Sequence, residues 1–204
     1  MHDRNTNLVK MRENQFAYAG WDNLSYGEWI QSMESFLKEC SRVLKKRGTL
    51  IVFMAVIRVS DIIRIAQSTK LYYKTTGVWH KTNPMPRNKD IHFVNSTECW
   101  IYFINKGTSG TFNNAGKVVH DFLESSVCPQ SEKKKGKHPT QKPLSILKQL
   151  VCLVSNPDDI ILDPFMGSGS TCVASALLGR RYIGIELEEK YCEIARARIE
   201  ELKM

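Results

Sequence analysis

The chain has 204 residues, a formal net charge of +8, 42% hydrophobic residues and no Pro/Ser/Gly-rich tract that divides it. That size supports one domain with a substantial core, and the basic balance suits a phosphate-bearing partner, although many soluble proteins share it. Six cysteines without a C-x-x-C pair or zinc spacing read as reduced thiols, the apolar run Leu50 to Ile57 is too short for a bilayer, and Met1-His-Asp-Arg opens no signal peptide, so a cytoplasmic protein with no metal and no membrane partner is expected.

Ser25-Tyr-Gly-Glu28 has the form of a capping box. It opens a predicted helix with apolar positions Trp29, Met33, Phe36, Leu37, Cys40, Val43 and Leu44, which Gly48 is expected to close. A continuous apolar strand follows from Thr49 to Val56, then a helix around Ser60 to Gln67 and strand-like stretches Tyr72 to His80 and Glu98 to Ile104. Apolar spacing at Leu144, Leu147, Val151 and Val154 predicts a further helix, ended by the turn Asn156-Pro-Asp-Asp159. Strands and helices alternate, which predicts an α/β, doubly wound layout with a mostly parallel sheet.

The segment from Asp159 to Thr171 is the most informative. Ile160, Ile161 and Leu162 read as a buried parallel strand running into Asp163, Pro164 and Phe165, and Gly167, Ser168 and Gly169 form a turn with little side chain between backbone N–H groups and a ligand. A helix from about Thr171 to Leu178 points its positive end at that turn, which suits an anionic or carboxylate-bearing cofactor. The spacing is neither the dinucleotide fingerprint nor a P-loop, so a tight strand-to-helix turn without a ligand is the competing reading. A second apolar strand, Arg181-Tyr-Ile-Gly-Ile-Glu186, ends in an acid about 20 residues further on, where such folds place a carboxylate on ribose hydroxyls.

Upstream stands His138-Pro139-Thr140-Gln-Lys-Pro143. H-P-T-Q-K-P, then D-P-F-x-G-S-G-[ST]-T, then R-x-x-I-G-I-E, in that order, resembles the circularly permuted group of DNA amino-methyltransferases, which use S-adenosylmethionine to methylate N6 of adenine or N4 of cytosine. The resemblance implies the Rossmann-like, permuted methyltransferase fold and S-adenosylmethionine as cofactor. It further implies that Asp163, Pro164, Phe165, Gly167, Ser168 and Gly169 line the methionine side, that Glu186 holds the ribose, and that His138, Pro139 and Thr140 flank the cofactor. Read from the residues alone, His138 is better taken as a helix-entry side chain hydrogen-bonded to backbone.

These enzymes activate the target amine with a [DNS]-P-P-[YFW] motif, in which polar groups accept hydrogen bonds from the amine and an aromatic ring stacks on the extruded base. No such tetrapeptide occurs, and Asn83-Pro-Met-Pro86 lacks both the paired prolines and the aromatic. No catalytic residue is therefore assigned. By the group's topology the motif precedes Trp21-Asp22, and its strand lies between the strand ending at Asp163 and the strand Thr49 to Val56. The expectation is a chain short of N-terminal strands, about 30 to 60 residues, leaving the two halves of the sheet unpaired where they face each other.

As a single methyltransferase domain over 1–204, the chain divides into a catalytic-side half (1–105), a recognition region (106–137) and a cofactor half (138–204). Lys81, Arg87 and Lys89 around Asn83-Pro-Met-Pro86, and Lys133, Lys134 and Lys135 beside the His138 motif, are the candidate DNA contacts. Solvated loops are the competing reading for both groups. The resemblance implies double-stranded DNA as partner, with a homodimer and a cognate restriction endonuclease as further partners, and the Asn83-Pro-Met-Pro-Arg87 stretch favours adenine. Two alternatives stay open: a fragment that binds S-adenosylmethionine or DNA without turnover, and a methyltransferase acting on another amine.

Overall fold

The computed structural model describes residues 24–86 and 90–203. Helix α1 (Tyr26–Val43) starts as its sequence dictates: the Glu28 N–H donates to Ser25 Oγ, and the Ser25 N–H donates to the Glu28 carboxylate at 2.8 Å. Its end differs from expectation. Leu44 is the C-cap, and the left-handed residue of the following turn is Arg47 (φ 64°) rather than Gly48. Arg47 is held there by its N–H on the Asn105 carbonyl and its guanidinium on Ser109. Asn105, fully buried, donates to the Ser41 and Leu44 carbonyls and so satisfies acceptors that the helix end leaves open.

Strand β1 (Thr49–Met54) stops two residues short of the expected Val56, which begins a 3-10 turn (Val56–Arg58) and is exposed. Helix α2 (Val59–Ala66), β2 (Leu71–Lys81) and β3 (Thr97–Asn105) follow, then a four-residue strand β4 (Phe122–Ser125) that sequence periodicity did not mark. These strands form one sheet in the order β1-β3-β2-β4. β3 runs against both neighbours while β4 is parallel to β2, so three of the four strands share a direction. Helix α3 (Leu144–Val154), β5 (Ile160–Asp163), α4 (Ser170–Leu177), β6 (Arg181–Gly184) and α5 (Glu189–Glu200) complete the chain, with β5 and β6 paired in parallel.

Both faces of the larger sheet are covered, as a doubly wound fold requires. Alternation along β3 sends Ile101 and Phe103 to one side, against Leu37 of α1 and Ile62 and Ile65 of α2, and Trp100 to the other, against Ile146, Leu147 and Leu150 of α3. At about 1.5–3 kcal/mol for each large apolar side chain buried, these two clusters are the main cohesive contribution.

β1 pairs only with β3 and β5 only with β6 among the described residues, so no described strand joins the two sheets across the interval between β1 and β5. Helix α1 crosses that interval. Lys45, just past its end, pairs with Asp159 before β5 at 2.7 Å, and Phe36 meets Phe165 after β5 with ring centroids 5.3 Å apart. β1 and β5 therefore start at one end of the molecule and finish at the other, and the finishing end collects the motif residues. No helix among the described residues is long and apolar enough to cross a membrane.

Candidate cofactor and nucleic-acid site

Parallel strands β5 and β6 end side by side, and the hydrogen-bond ladder runs on into the turn: Ile185 N–H donates to the Asp163 carbonyl and Met166 N–H to the Ile185 carbonyl. Asp163 turns its carboxylate back to the Phe165 N–H at 3.0 Å, which fixes the first bend. Gly167 (φ 49°) and Gly169 (φ 76°) supply the left-handed conformations, and Gly169 is the N-cap of α4.

A side chain at either glycine would strike a neighbour. A Cβ on Gly167 would lie 2.8 Å from His138 Nε2, and one on Gly169 2.7 Å from the Ala195 Cβ of α5. The turn is thus held between the His138 motif on one side and α5 on the other. Beneath it, burial pushes the Cys172 thiol up to about 12, with Asp163 adding to the effect, so this cysteine is a neutral packing group.

Glu186 stands beside the turn with both carboxylate oxygens hydrogen-bonded. One oxygen accepts the Gly167 N–H at 3.0 Å, and the other accepts the N–H groups of Leu187 and Glu188 at 2.8 and 3.0 Å. His138, only 8% exposed, lies edge-on to Tyr191 with centroids 4.3 Å apart. The Thr140 N–H donates to its Nδ1 at 3.3 Å, so the neutral ring carries its proton on Nε2, the nitrogen nearest Gly167. Burial lowers its pKa; Glu186 opposes that effect, and Lys142 and Lys190 reinforce it. Pro139 and Thr140 are exposed, Pro164 is partly buried, and Phe165 is 65% exposed with its ring against Phe36.

The predicted cofactor residues are therefore gathered at one place. A cavity of about 380 Å³ beside β6 is lined by Met166, Gly184, Glu186, Cys192 and Arg196. A larger groove, about 910 Å³, lies at the opposite end between α2 and the start of β2 and includes none of the predicted residues, so the chemistry points to the smaller one.

Two residues at the site were not singled out in the sequence. Glu132 holds the His138 segment, accepting the α3 Leu144 N–H on its carboxylate at 3.0 Å and Gln141 Nε2 on its carbonyl at 2.9 Å. Arg198, buried in α5, donates from Nη1 to the Ser168 carbonyl and to the hydroxyls of Ser168 and Ser170. The available signal was positional: Cys192, Ala195 and Arg198 recur at three-residue spacing on the inward face of a helix.

The basic candidates divide. Lys81 ends β2 with its ammonium on Glu98 at 2.8 Å, and Lys142 of the His138 motif reaches the other Glu98 oxygen at 2.9 Å. Burial pushes the Glu98 carboxyl up, but Lys142 and Lys81 together outweigh it and hold it below the ordinary range. Lys133 closes a 3-10 turn (Gln130–Lys133), while Lys134 and Lys135 are exposed, Lys135 standing 3.9 Å from Glu201. Asn83 Oδ1 accepts the Val127 N–H at 2.8 Å and ties the segment after β2 to the one after β4. Arg87 and Lys89 lie outside the described residues.

The N6/N4 methyltransferase family model, described as DNA methylase, matches residues 12–197. Type II methyltransferase M.HinfI of Haemophilus influenzae is 34% identical over 95% of this chain, which spans 59% of that relative's length. Type II methyltransferase M2.DpnII of Streptococcus pneumoniae is 33% identical over 88% of the chain and 71% of its own. The crystal structure of the M1.HpyAVI–SAM complex, 30% identical, aligns with a TM-score of 0.71 over 82% of each chain. The cytosine-N4-specific PvuII DNA methyltransferase, 19% identical, shares the fold with a TM-score of 0.75 over 86% of this chain and 72% of its own. With nine-tenths of its length matched by the family model and its motifs gathered at the ends of two parallel strands, the chain belongs to the N6/N4 DNA methylase family.

Proposed function

We propose that this chain binds S-adenosylmethionine at the Gly167–Gly169 turn and serves methyl transfer to an exocyclic amine of a DNA base, N6 of adenine before N4 of cytosine, within a type II restriction-modification system in the cytoplasm. The observation that carries the reading is the convergence of Gly167, Gly169, Glu186 and His138. The positive end of α4 and the carboxylate of Glu186 beside the Gly167–Gly169 turn fit a ligand with a zwitterionic amino acid and a ribose. The cofactor, when bound, supplies a methyl group on a sulfonium sulfur.

The residues in hand bind and orient. Asp163, Pro164, Phe165, Gly167, Ser168 and Gly169 take the methionine side, Glu186 the ribose, and the His138-Pro139-Thr140 segment closes the flank with a neutral imidazole. The basic loops hold duplex phosphates, with Lys133, Lys134 and Lys135 free of Glu98 and so better disposed than Lys81. The segment 106–137 reads the sequence, and the chain acts as a dimer alongside a cognate endonuclease. No residue of the 204 is assigned to amine activation, since none forms the [DNS]-P-P-[YFW] motif.

Calorimetric titration with S-adenosylmethionine is expected to give one site per chain, and a folded sample with no heat of association overturns the proposal. Filter binding of duplex DNA is expected to show a salt slope that falls when Lys133, Lys134 and Lys135 are changed together to alanine, by up to about 0.9 for each phosphate that is no longer neutralised. An unchanged slope removes these lysines from the DNA interface. Labelled-methyl transfer to DNA, measured beside these titrations, separates a turning-over enzyme from a chain that binds only.

A further inference from the structure

Arg198 is the least expected group near the glycine turn. Its residue is 6% exposed, and the three hydrogen bonds of Nη1 go to a carbonyl and two hydroxyls: Ser168 O at 2.6 Å, Ser168 Oγ at 3.2 Å and Ser170 Oγ at 3.0 Å. Its other terminal nitrogen, Nη2, is buried with no hydrogen-bond partner among the described residues. A guanidinium stays charged, and burying it with hydrogen bonds to neutral acceptors, Glu132 supplying only a longer-range attraction, is costly. For packing, a methionine would serve at lower cost.

What the arginine does is geometric. A peptide unit is planar, so fixing both of its edges fixes its orientation. The unit between Ser168 and Gly169 is held in this way: its carbonyl accepts from Arg198, and its N–H donates to the Met166 carbonyl at 2.8 Å. One helical turn earlier on the same face of α5, Ala195 lies against Gly169 so closely that only a hydrogen fits there. Helix α5 therefore sets both the height and the tilt of the turn from the side opposite His138.

We propose that Arg198 is a positioning residue for the methyl-donor site, orienting the Ser168–Gly169 peptide so that the turn meets S-adenosylmethionine in register. The proposal rests on the cofactor reading above. Arg198→Met in the full 204-residue chain is expected to weaken S-adenosylmethionine binding by about ten- to hundredfold, the range for losing a charged hydrogen-bond donor. The Gly169 amide resonance is expected to shift, a change that loss of distant packing would not produce.

Where Arg198→Met does not fold, Ser170→Ala carries the test, because it strips an acceptor outside the residues assigned to the cofactor and leaves the guanidinium in place. It is expected to weaken binding about threefold or more, in line with loss of one hydrogen bond, and to lower the thermal midpoint, since a buried guanidinium loses an acceptor. A variant that binds as tightly as a binding parent, with Gly169 unmoved, overturns the Arg198 assignment alone. A folded parent that binds no S-adenosylmethionine overturns the cofactor reading and this one with it.

Discussion

Glu186 and Gly167, 19 positions apart, are joined by a 3.0 Å hydrogen bond from the glycine N–H to the carboxylate, which ties the end of β6 to the turn after β5. The same carboxylate takes two more N–H groups, from Leu187 and Glu188. Glu186→Gln puts an amide NH2 where an oxygen now accepts, so at least one N–H loses its partner. The expected cost is about 1–2 kcal/mol in stability and about tenfold in S-adenosylmethionine affinity. Urea unfolding and calorimetry check the two effects separately.

Gly169 and Gly179 make a matched comparison. Both have left-handed φ, 76° and 70°, but a Cβ on Gly169 would strike Ala195 while one on Gly179 has nothing within 4 Å. Gly179→Ala should cost only the backbone penalty, about 1 kcal/mol. Gly169→Ala should cost about 2–4 kcal/mol, adding a steric contribution, and should abolish cofactor binding. Equal midpoints for the two variants in thermal unfolding would refute this account of the turn.

Stability should depend on His138 at mildly acid pH. Burial lowers its pKa from the ordinary 6.5, so below that value the unfolded chain takes up a proton that the folded chain refuses. Stability from this source is complete above about pH 6.5, the ordinary imidazole value, and is lost progressively as the pH falls below it. In urea titrations at pH 7.5 and pH 5.5, the parent should lose more stability between the two conditions than His138→Asn.

Glu98 gives a dependence in a lower window. Lys142 and Lys81 hold its carboxyl below the ordinary 4.5 despite burial, so the folded chain keeps the charge to lower pH than the unfolded chain does. The ion-pair contribution is present above 4.5 and disappears as the pH falls through the lowered value. Glu98→Gln leaves two lysines facing each other across a neutral amide, at a cost of about 1–2 kcal/mol near neutral pH for a partly exposed cluster. Parent and variant should converge in stability only once the pH has fallen through the lowered value, where the folded carboxylate too is neutralised.

Local rules made part of this fold legible. Ser25 and Glu28 mark the start of α1 through bonds that span three residues, and the apolar run before Asp163 marks β5. β4 escaped notice because its four residues are ordered by parallel pairing with β2, more than 40 positions upstream, a relationship that no short window contains. Gly48 misled because glycine is the usual left-handed residue after a helix, whereas here the hydrogen bonds Arg47 donates to Asn105 and Ser109 hold it in that conformation. In the site, the motif residues were readable because their order and spacing are specific. Arg198 was not, because an arginine in a charged helix reads as a solvated side chain until its face is known.

The clamp from α5 also bears on how the molecule comes into being. Arg198 lies 30 positions after the serine whose carbonyl it holds, and Ala195 lies on the same late helix. During synthesis the Gly167–Gly169 turn therefore has no support on that side until the helix has left the ribosome, so nascent chains paused before it would carry the H-P-T-Q-K-P, D-P-F and I-G-I-E segments around a turn that nothing yet holds in place.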